Sequence, residues 1–327
     1  MHVSPLIWAV TIVVILGLFV FDFFAHVRTP HEPTFRESAF WSAVYIGLAI
    51  VFGLIVVWVW GGTYGGEYFA GYVTEKALSV DNLFVFVIIM STFAIPRQYQ
   101  QKVLLIGIVM ALVMRGAFIA VGAAAINAYS WVFYLFGIFL VYTAIKLVKE
   151  AGHEAEIEEE RDSKIIALAK RFLPTTEEFD GDRLTTRVNG KRLVTPLLLA
   201  LVAIGFTDIL FALDSIPAIY GLTNEAYIVF TANAFALMGL RQLYFLIGGL
   251  LERLVYLSYG LSIILAFIGV KLVLHALHEN TLPFINGGEH VAVPEISTGV
   301  SLLVILGVLV VTTVASLLKT RKTAAES

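Results

Sequence analysis

One stretch decides how the whole chain is interpreted: Glu75-Lys76-Ala77-Leu78-Ser79-Val80-Asp81-Asn82. It places three charges and an amide inside an apolar run, from Tyr68 to Phe93, that is long enough to span a membrane. A charged side chain at the bilayer centre costs about 2.5 to 3.5 kcal/mol even on the most lenient insertion scale, and such residues commonly line ion paths or proton relays. We therefore expect a functional site in this stretch.

The composition places the chain in the membrane class. Of its 327 residues, 59% are hydrophobic and 14% are charged, and the mean hydropathy is +0.86. A soluble domain of this length carries far more charge on its surface. The chain has no cysteine, which excludes disulfides, thiolate metal sites and cysteine nucleophiles. The first apolar run lacks the basic segment of a signal peptide and is long enough to be a first transmembrane helix.

The hydrophobic pattern predicts an all-α polytopic membrane protein with about nine transmembrane helices, because nine apolar runs reach spanning length. The runs are 5–25, 39–60, 67–93, 101–124, 129–149, 195–220, 226–249, 255–277 and 297–318.

The distribution of Lys and Arg predicts the orientation of the chain. The connections after helices 1, 3, 5 and 7 and the C-terminal tail carry basic residues, whereas the N-terminus and the connections after helices 2, 4, 6 and 8 carry none. Basic loops face the cytoplasm in a prokaryotic plasma membrane. We therefore expect a multi-pass protein of the cell membrane with its N-terminus outside and its C-terminus in the cytoplasm.

The acidic stretch returns later as Asp208-Ile209-Leu210-Phe211-Ala212-Leu213-Asp214-Ser215. In both copies an acid is followed six residues later by Asp and then by a small amide or hydroxyl side chain. The chain therefore contains an internal repeat.

Basic residues extend this repeat over three helices. Arg115 matches Arg241, and Lys146 follows Arg115 by 31 residues, as Lys271 follows Arg241 by 30. Three is an odd number of helices and the linker between the units stays in the cytoplasm, so the two units must be inverted relative to each other. Inverted repeats are typical of secondary transporters, whose sites lie at the repeat interface near the bilayer midplane.

The predicted organisation has five parts. They are two leading transmembrane helices in 1–60, the first three-helix repeat in 61–150, a cytoplasmic linker in 151–193, the second repeat in 194–279, and an outer loop, last transmembrane helix and basic tail in 280–327. In the linker, residues 164–173 have the pattern of an interfacial amphipathic helix, and Asn189-Gly190 between two alternating runs predicts a β-hairpin.

The carboxylates and neutral oxygens of the two acidic stretches are the candidate metal ligands. Oxygen donors without thiolate suit Mn, Mg or Ca. On one straight helix, Glu75 and Asp81 lie about 120° apart around the axis and about 9 Å apart along it. Either the helix is broken there, as Pro217 would favour in the second unit, or each ion takes ligands from both units. The candidate ligands are Glu75, Asp81, Asn82, Asp208, Asp214 and Ser215.

A purely structural interpretation stands beside the metal site. The acids could form intramembrane salt bridges with basic residues on the other helices of the two repeats. The basic residues could also be gating partners that hold the acids when no ion is bound. The candidates for these roles are Lys76, Arg115, Lys146, Arg241 and Lys271.

Other polar residues carry weaker signals. His275 and His278, which share a helix face, could capture a metal on the outer side. We expect Asp22 to reach the membrane interface at the end of helix 1, and His26 and His31 to be loop residues on the cytoplasmic side.

The motifs resemble those of the TerC family, integral membrane proteins named for tellurium resistance, which belong with the LysE-like transporters. The resemblance rests on the segments 71–86, 211–219 and 231–241 and extends from helix 2 to helix 9. It implies manganese export or the supply of manganese to exported enzymes, and it implies ligand roles for the six candidate ligands. Many members have Glu where this chain has Gly205. That departure argues against a full metal site in the second unit, or moves the site onto Asp214.

We expect a secondary transporter that exports divalent cations, Mn²⁺ above all, in exchange for protons, and no enzymatic activity. The expected partners are the lipid bilayer, the transported cation and protons, with no permanent cofactor and no nucleic acid. A membrane scaffold that delivers metal to exported proteins, or supports tellurite resistance without net transport, is the alternative. An intramembrane aspartyl protease ranks below both, because Gly205-Phe206-Thr207-Asp208 lacks the Gly-x-Gly-Asp context.

Overall fold

The computed structural model describes residues 1–28, 31–151, 174–176, 178–188, 191–247 and 254–326, without the side chains of Asp81, Phe84, Lys191 and 321–326. The α-helices are α1 (Pro5–Asp22), α2 (Phe35–Trp60), α3 (Gly62–Thr92), α4 (Arg97–Ala128), α5 (Val132–Glu150), α6 (Pro196–Tyr220), α7 (Ala226–Leu237), α8 (Leu240–Ile247), α9 (Leu257–His278) and α10 (Thr298–Glu326). A π-helix, Phe23–Val27, continues α1, a 3-10 helix spans Asn286–Gly288, and the strands are β1 (Thr185–Val188) and β2 (Lys191–Val194).

Within the described residues, eight helical segments are long and apolar enough to cross a membrane, which confirms the all-α polytopic fold. Helix α3, with 31 residues, is not among these eight segments, so a ninth span over 67–93 stays a prediction. The seventh span is not one regular helix as the pattern predicts. It is broken between α7 and α8, where Gly239 has a φ of +75°.

The connections fall on two faces. On one face, which we call the basic face, Arg97 binds Glu32 at 2.6 Å and Tyr256 N–H donates to Ser316 Oγ at 3.0 Å. On the other face, Ser130 Oγ and Thr281 Oγ1 are 3.2 Å apart. This is the grouping of connections that the basic residues predict.

The two three-helix units run in opposite directions. Thr223, just after the end of α6, donates to Glu67 near the start of α3 at 2.5 Å. Helix α3 packs against α7, α4 against α6, and α5 against α9. In the repeat α3 corresponds to α6, α4 to α7 and α5 to α9. Exchange of the two units therefore turns the α3–α7 contact into the α4–α6 contact and leaves the α5–α9 contact unchanged. The core is therefore an inverted repeat with approximate two-fold symmetry.

Two glycines bring the third helices of the units together. A Cβ on Gly137 would lie 2.7 Å from the carbonyl oxygen of Gly269, and a Cβ on Gly269 would lie 2.8 Å from the carbonyl oxygen of Gly137. Small residues at helix crossings allow this close backbone approach inside membranes. The α5–α9 contact therefore depends on the absence of side chains at both positions.

The linker forms a hairpin at the basic face. Strands β1 and β2 pair antiparallel, with Val188 opposite Lys191, as Asn189-Gly190 predicts. Lys102 on α4 donates to Asp182 at 2.7 Å, and this hydrogen bond lowers the pKa of the Asp182 carboxyl below its usual value. The predicted amphipathic helix at 164–173 lies outside the described residues.

Neither acid-bearing helix is broken at its acids. Helix α3 continues through Glu75 and Asp81, and α6 continues through Pro217 to Tyr220. The break expected at Pro217 is therefore wrong. The proline lies within one turn of the helix end, where the interrupted hydrogen bonding affects few residues. Chelation of one ion by Glu75 and Asp81 of a single helix lacks the break that it requires, and an ion held by ligands from both units stays a prediction.

We predict that Gly137→Ala lowers the midpoint of thermal unfolding in detergent, because the new methyl meets backbone atoms that cannot move independently. Overpacking of this kind costs typically about 1–3 kcal/mol. The matched control is Gly47→Ala on α2, where a Cβ meets nothing within 4 Å. Equal midpoints for the two variants would contradict the close α5–α9 contact.

Candidate cation site at the repeat interface

A fully buried arginine joins the two repeats. Arg115 on α4 donates to Glu75 on α3 through Nη1, and to Asp208 on α6 through Nη2 at 2.9 Å and Nε at 3.3 Å. The exposed fraction is 0% for Arg115 and Glu75 and 2% for Asp208. Because Glu75 and Asp208 are equivalent in the two repeats, one guanidinium binds the same acid from each unit. We call these three residues the acid–arginine triad.

Several buried polar atoms without hydrogen-bond partners lie on α3, α6 and α7, and others lie on α2, on α8 and in the π-helix. Glu75 Oε2, Thr207 Oγ1, Ser215 Oγ and both amide atoms of Asn233 have no hydrogen-bond partner among the described residues. Most buried polar groups in proteins are hydrogen-bonded, so each exception needs a reason. A carboxylate, hydroxyls and an amide oxygen are the donors that hard divalent cations prefer. The donor set therefore suits such a cation.

The structure describes the side chain of Asp214, the second acid of the later stretch, but not that of Asp81, the second acid of the first stretch. Asp214 is half-buried and forms no ion pair with any residue that the structure describes. Asn82 is buried at 6% exposure. The side chain of Asp81 lies outside the described part, so its role as a ligand stays a prediction.

Lys76 has a partner that the sequence does not indicate. Its Nζ donates to the backbone carbonyls of Ala236 at 3.0 Å and Met238 at 3.3 Å, where α7 ends. A positive charge at the C-terminal end of a helix is favoured by the helix dipole. In this structure Lys76 therefore stabilises the broken end of α7 and forms no ion pair with a described acid.

The two lysines of the third helices lie away from the triad. Lys146 Nζ is 3.8 Å from Glu150 on its own helix, and its side chain is 55% exposed. Lys271 donates to Ser301 on α10 at 3.1 Å. Neither of them pairs with the acids of the two stretches in the described structure.

A second buried cluster of polar residues involves α1, which lies outside the repeats. Arg241 on α8 donates to Asp22 through Nη2 at 2.8 Å and Nε at 3.2 Å, and to Gln101 on α4 through Nη1. Tyr45 and Gln242 also donate to Asp22, at 2.7 and 3.2 Å. We call these five residues the Asp22 cluster.

The Asp22 cluster corrects two expectations. Asp22 is 6% exposed and does not reach the interface, because it binds Arg241. His26 is not a loop residue but lies in the π-helix, with Nδ1 3.2 Å from Asp22 Oδ1. The sequence did contain a signal for this pairing. Asp22 is the lone acid of an otherwise apolar first helix, and a buried acid that does not reach water needs a partner.

The outer histidines do not form a common site in the described structure. His278 Nε2 is 3.5 Å from Glu295, whereas the ring of His275 packs edge-on against Phe133. Among the described side chains, no group of three or more His, Asp or Glu residues is arranged to hold a metal ion. Metal capture by His275 and His278 stays a prediction.

The triad contains more acid than base. Its two carboxylates and one guanidinium carry one net negative charge when all three are ionised. A buried carboxylate pair needs a positive partner, and Arg115 supplies it.

Comparison with known proteins shows one family. The family described as "Integral membrane protein TerC family" matches residues 60–324. An uncharacterized membrane protein of Mycobacterium tuberculosis is 56% identical over 97% of this chain and 80% of the relative, and one of Myxococcus xanthus is 42% identical over 97% and 94%. "Putative membrane-bound redox modulator Alx" of Escherichia coli is 34% identical over 94% of this chain and 93% of the relative. No solved structure matches.

We predict that Arg115→Gln destabilises the protein strongly, because it leaves two buried carboxylates without a positive partner. Breaking a buried ion pair by removing one partner costs about 3–5 kcal/mol. The control is Arg97→Gln on the same helix, whose ion pair with Glu32 is exposed and worth about 0.2–1 kcal/mol. Equal losses in thermal unfolding of the two variants would contradict the burial of the triad.

Proposed function

The chain belongs to the TerC family of integral membrane proteins, and we propose that it is a secondary transporter that exports divalent cations, Mn²⁺ above all, from the cytoplasm. The proposal places the cation between the inverted repeats, where secondary transporters commonly bind their substrates.

One observation carries the proposal. Glu75 and Asp208 come from opposite units, yet both bind the guanidinium of Arg115 in a fully buried place. A structural ion pair needs one acid for one base, whereas here the acids exceed the base by one. Excess buried negative charge is costly unless a cation compensates for it during function. The one acid in excess of the base therefore supports cation binding. It does so more directly than the total number of charged residues in the membrane-spanning segments.

In the proposed cycle Arg115 and the cation alternate at the same acids. When the cation enters, it takes Glu75 and Asp208 as ligands and the guanidinium withdraws. When the cation leaves, Arg115 returns and prevents the two carboxylates from facing each other without a positive charge. Ser215, Asn82, Asp81 and Asp214 supply further oxygens along the path.

The identity of the cation and the direction of its movement rest on donor chemistry, charge distribution and family resemblance. Carboxylate, hydroxyl and amide oxygens suit Mn²⁺, Mg²⁺ and Ca²⁺, and manganese export is what the resemblance to the TerC family implies. We assign the basic face to the cytoplasm because basic loops remain on that side of the membrane.

A redox role of the kind named for the Alx relatives fits this proposal only through metal. Thiol–disulfide exchange requires cysteine, and this chain has none. Redox effects of this chain would therefore follow from the supply or removal of a metal such as manganese. A scaffold that hands over metal without net transport remains the competing function, and a flux measurement separates the two.

We predict that Asp81→Asn and Asp214→Asn each reduce Mn²⁺ flux into proteoliposomes at least tenfold per folded molecule. Each substitution keeps the size of the side chain and removes the charge that binds the cation. Glu75→Gln should be equally severe. Asp208→Asn should also be severe, because Asp208 and Glu75 are both ligands of the cation in the proposed cycle.

The control for these variants is Asp182→Asn, which removes an exposed carboxylate at the basic face and should leave flux unchanged. Wild-type protein that binds Mn²⁺ but gives no flux would favour the scaffold function. Normal flux in both Asp81→Asn and Asp214→Asn, at normal folded yield, would refute the proposed site.

Proton antiport gives a separate prediction. Carboxylates that pick up protons after the cation leaves must release them before the next cation binds, so Mn²⁺ affinity should rise with pH. A proton gradient imposed across the liposome should accelerate Mn²⁺ movement in the opposite direction. Flux that does not respond to the gradient would remove antiport and leave the cation site unaffected.

A further inference from the structure

The two repeat-equivalent arginines have different partners, which breaks the symmetry of the core. Arg115 binds Glu75 of its own unit and Asp208 of the other unit. Exchange of the two units maps this contact onto Arg241 bound to Asp208 and Glu75. In the structure Arg241 instead binds Asp22 on α1, a helix that has no counterpart in the repeat.

The two arginines bind different partners because the helix is regular before Arg115 and broken before Arg241. Helix α4 is regular through Val113 up to Arg115. At the equivalent place in the second unit the helix is broken, and Gly239 adopts a φ of +75° that other residues rarely take. The break starts a new helix, α8, whose first turn carries Arg241 to the Asp22 cluster.

The break lies beside the helix that carries Glu75. The carbonyl of Met238 is 3.3 Å from the Nζ of Lys76, which is the neighbour of Glu75 in sequence. Arg241 itself binds Gln101, which precedes Arg115 by fourteen residues on the continuous helix α4, about 21 Å along its axis. To reach the acid pair, Arg241 therefore needs the break at Gly239 to straighten into a continuous helix, as α4 is at the equivalent place.

We propose that Arg241 is the second partner of the Glu75–Asp208 acid pair. Asp22 is then a positioning residue that binds Arg241 while Arg115 occupies the acid pair. This inference rests on the transport cycle proposed above, because it describes the second, inverted state of that cycle. In the state described here Arg115 binds the acid pair and Arg241 is stored on Asp22. In the inverted state Arg241 binds the acid pair when no cation is present.

The proposal gives α1 a part in transport although it lies outside the repeats. Tyr45 and Gln242 donate to Asp22 beside Arg241, so the carboxylate keeps hydrogen bonds after the arginine leaves. Asp214 forms no ion pair with a described residue and lies on the same helix as Asp208, so it offers a partner to the guanidinium that Arg115 withdraws. Both guanidinium groups and the acid pair therefore keep a charged partner in both states, and Asp22 keeps neutral hydrogen bonds in the second.

The test measures the effect of Asp22→Asn in two backgrounds, in purified protein without divalent metal. In the wild type, Asp22→Asn removes the stored partner of Arg241 and should lower the midpoint of thermal unfolding. In Arg115→Gln the acid pair has lost its partner, and Asp22→Asn frees Arg241 to replace it. There the same substitution should leave the midpoint unchanged or raise it.

Folded yield provides a second measurement if Arg115→Gln is too unstable to purify. Fluorescence-detected size exclusion of a tagged protein from membranes should show at least a twofold higher folded yield for Arg115→Gln with Asp22→Asn than for Arg115→Gln alone. Adding Arg241→Gln should abolish that gain in folded yield, because the gain requires Arg241 to bind the acid pair. Rescue that persists in the triple variant would overturn the proposal.

The control is Glu32→Gln, which removes the exposed partner of Arg97 on the same helix as Arg115. Its effect should be the same in both backgrounds. If Asp22→Asn also lowers the midpoint and the yield equally in both backgrounds, Asp22 is only a structural counter-charge and the proposal is wrong. Because no metal is present, that failure is separate from a failure of the flux experiments, which would refute transport itself.

Discussion

The structure depends on one constraint, which is that charge buried in a membrane must be paired. Arg115, with no exposed surface, satisfies this constraint for Glu75 and Asp208 at once. Because these acids belong to opposite units, their shared partner also holds the two inverted repeats together. In the proposed cycle this contact also occupies the place of the cation, so the guanidinium and the cation would compete for the same two carboxylates.

Two other features of the fold accompany this contact. The third helices cross at Gly137 and Gly269 with almost no space between their backbones. The seventh span is broken, and Lys76 compensates for the break by binding the carbonyls at the end of α7. In the proposed cycle the close crossing is kept, and the break is the part that changes between the two states.

The sequence predicted the parts of this structure that follow from composition and periodicity. Eight of the nine predicted spans and the repeat of acid, Arg and Lys could be found, because burial in lipid requires long apolar runs and makes each charged exception visible. The pairing of Arg241 with Asp22 could not be found, because it joins α1 to α8 across a distance that no local pattern records. The break at Gly239 was also missed, since a single glycine in an apolar run is compatible with a continuous helix. The repeat itself suggested that Arg241 would bind an acid of the acidic stretches, and the extra helix α1 overrides that expectation.

The central claim is that a divalent cation and the guanidinium of Arg115 exchange at the Glu75–Asp208 pair. A structure of the protein with bound Mn²⁺, with the metal located by anomalous scattering at the manganese absorption edge, tests it most directly. The account predicts a manganese peak in contact with carboxylate oxygens of both Glu75 and Asp208, with Arg115 withdrawn from both. A manganese peak elsewhere, with Arg115 still bound to the two carboxylates, would contradict it.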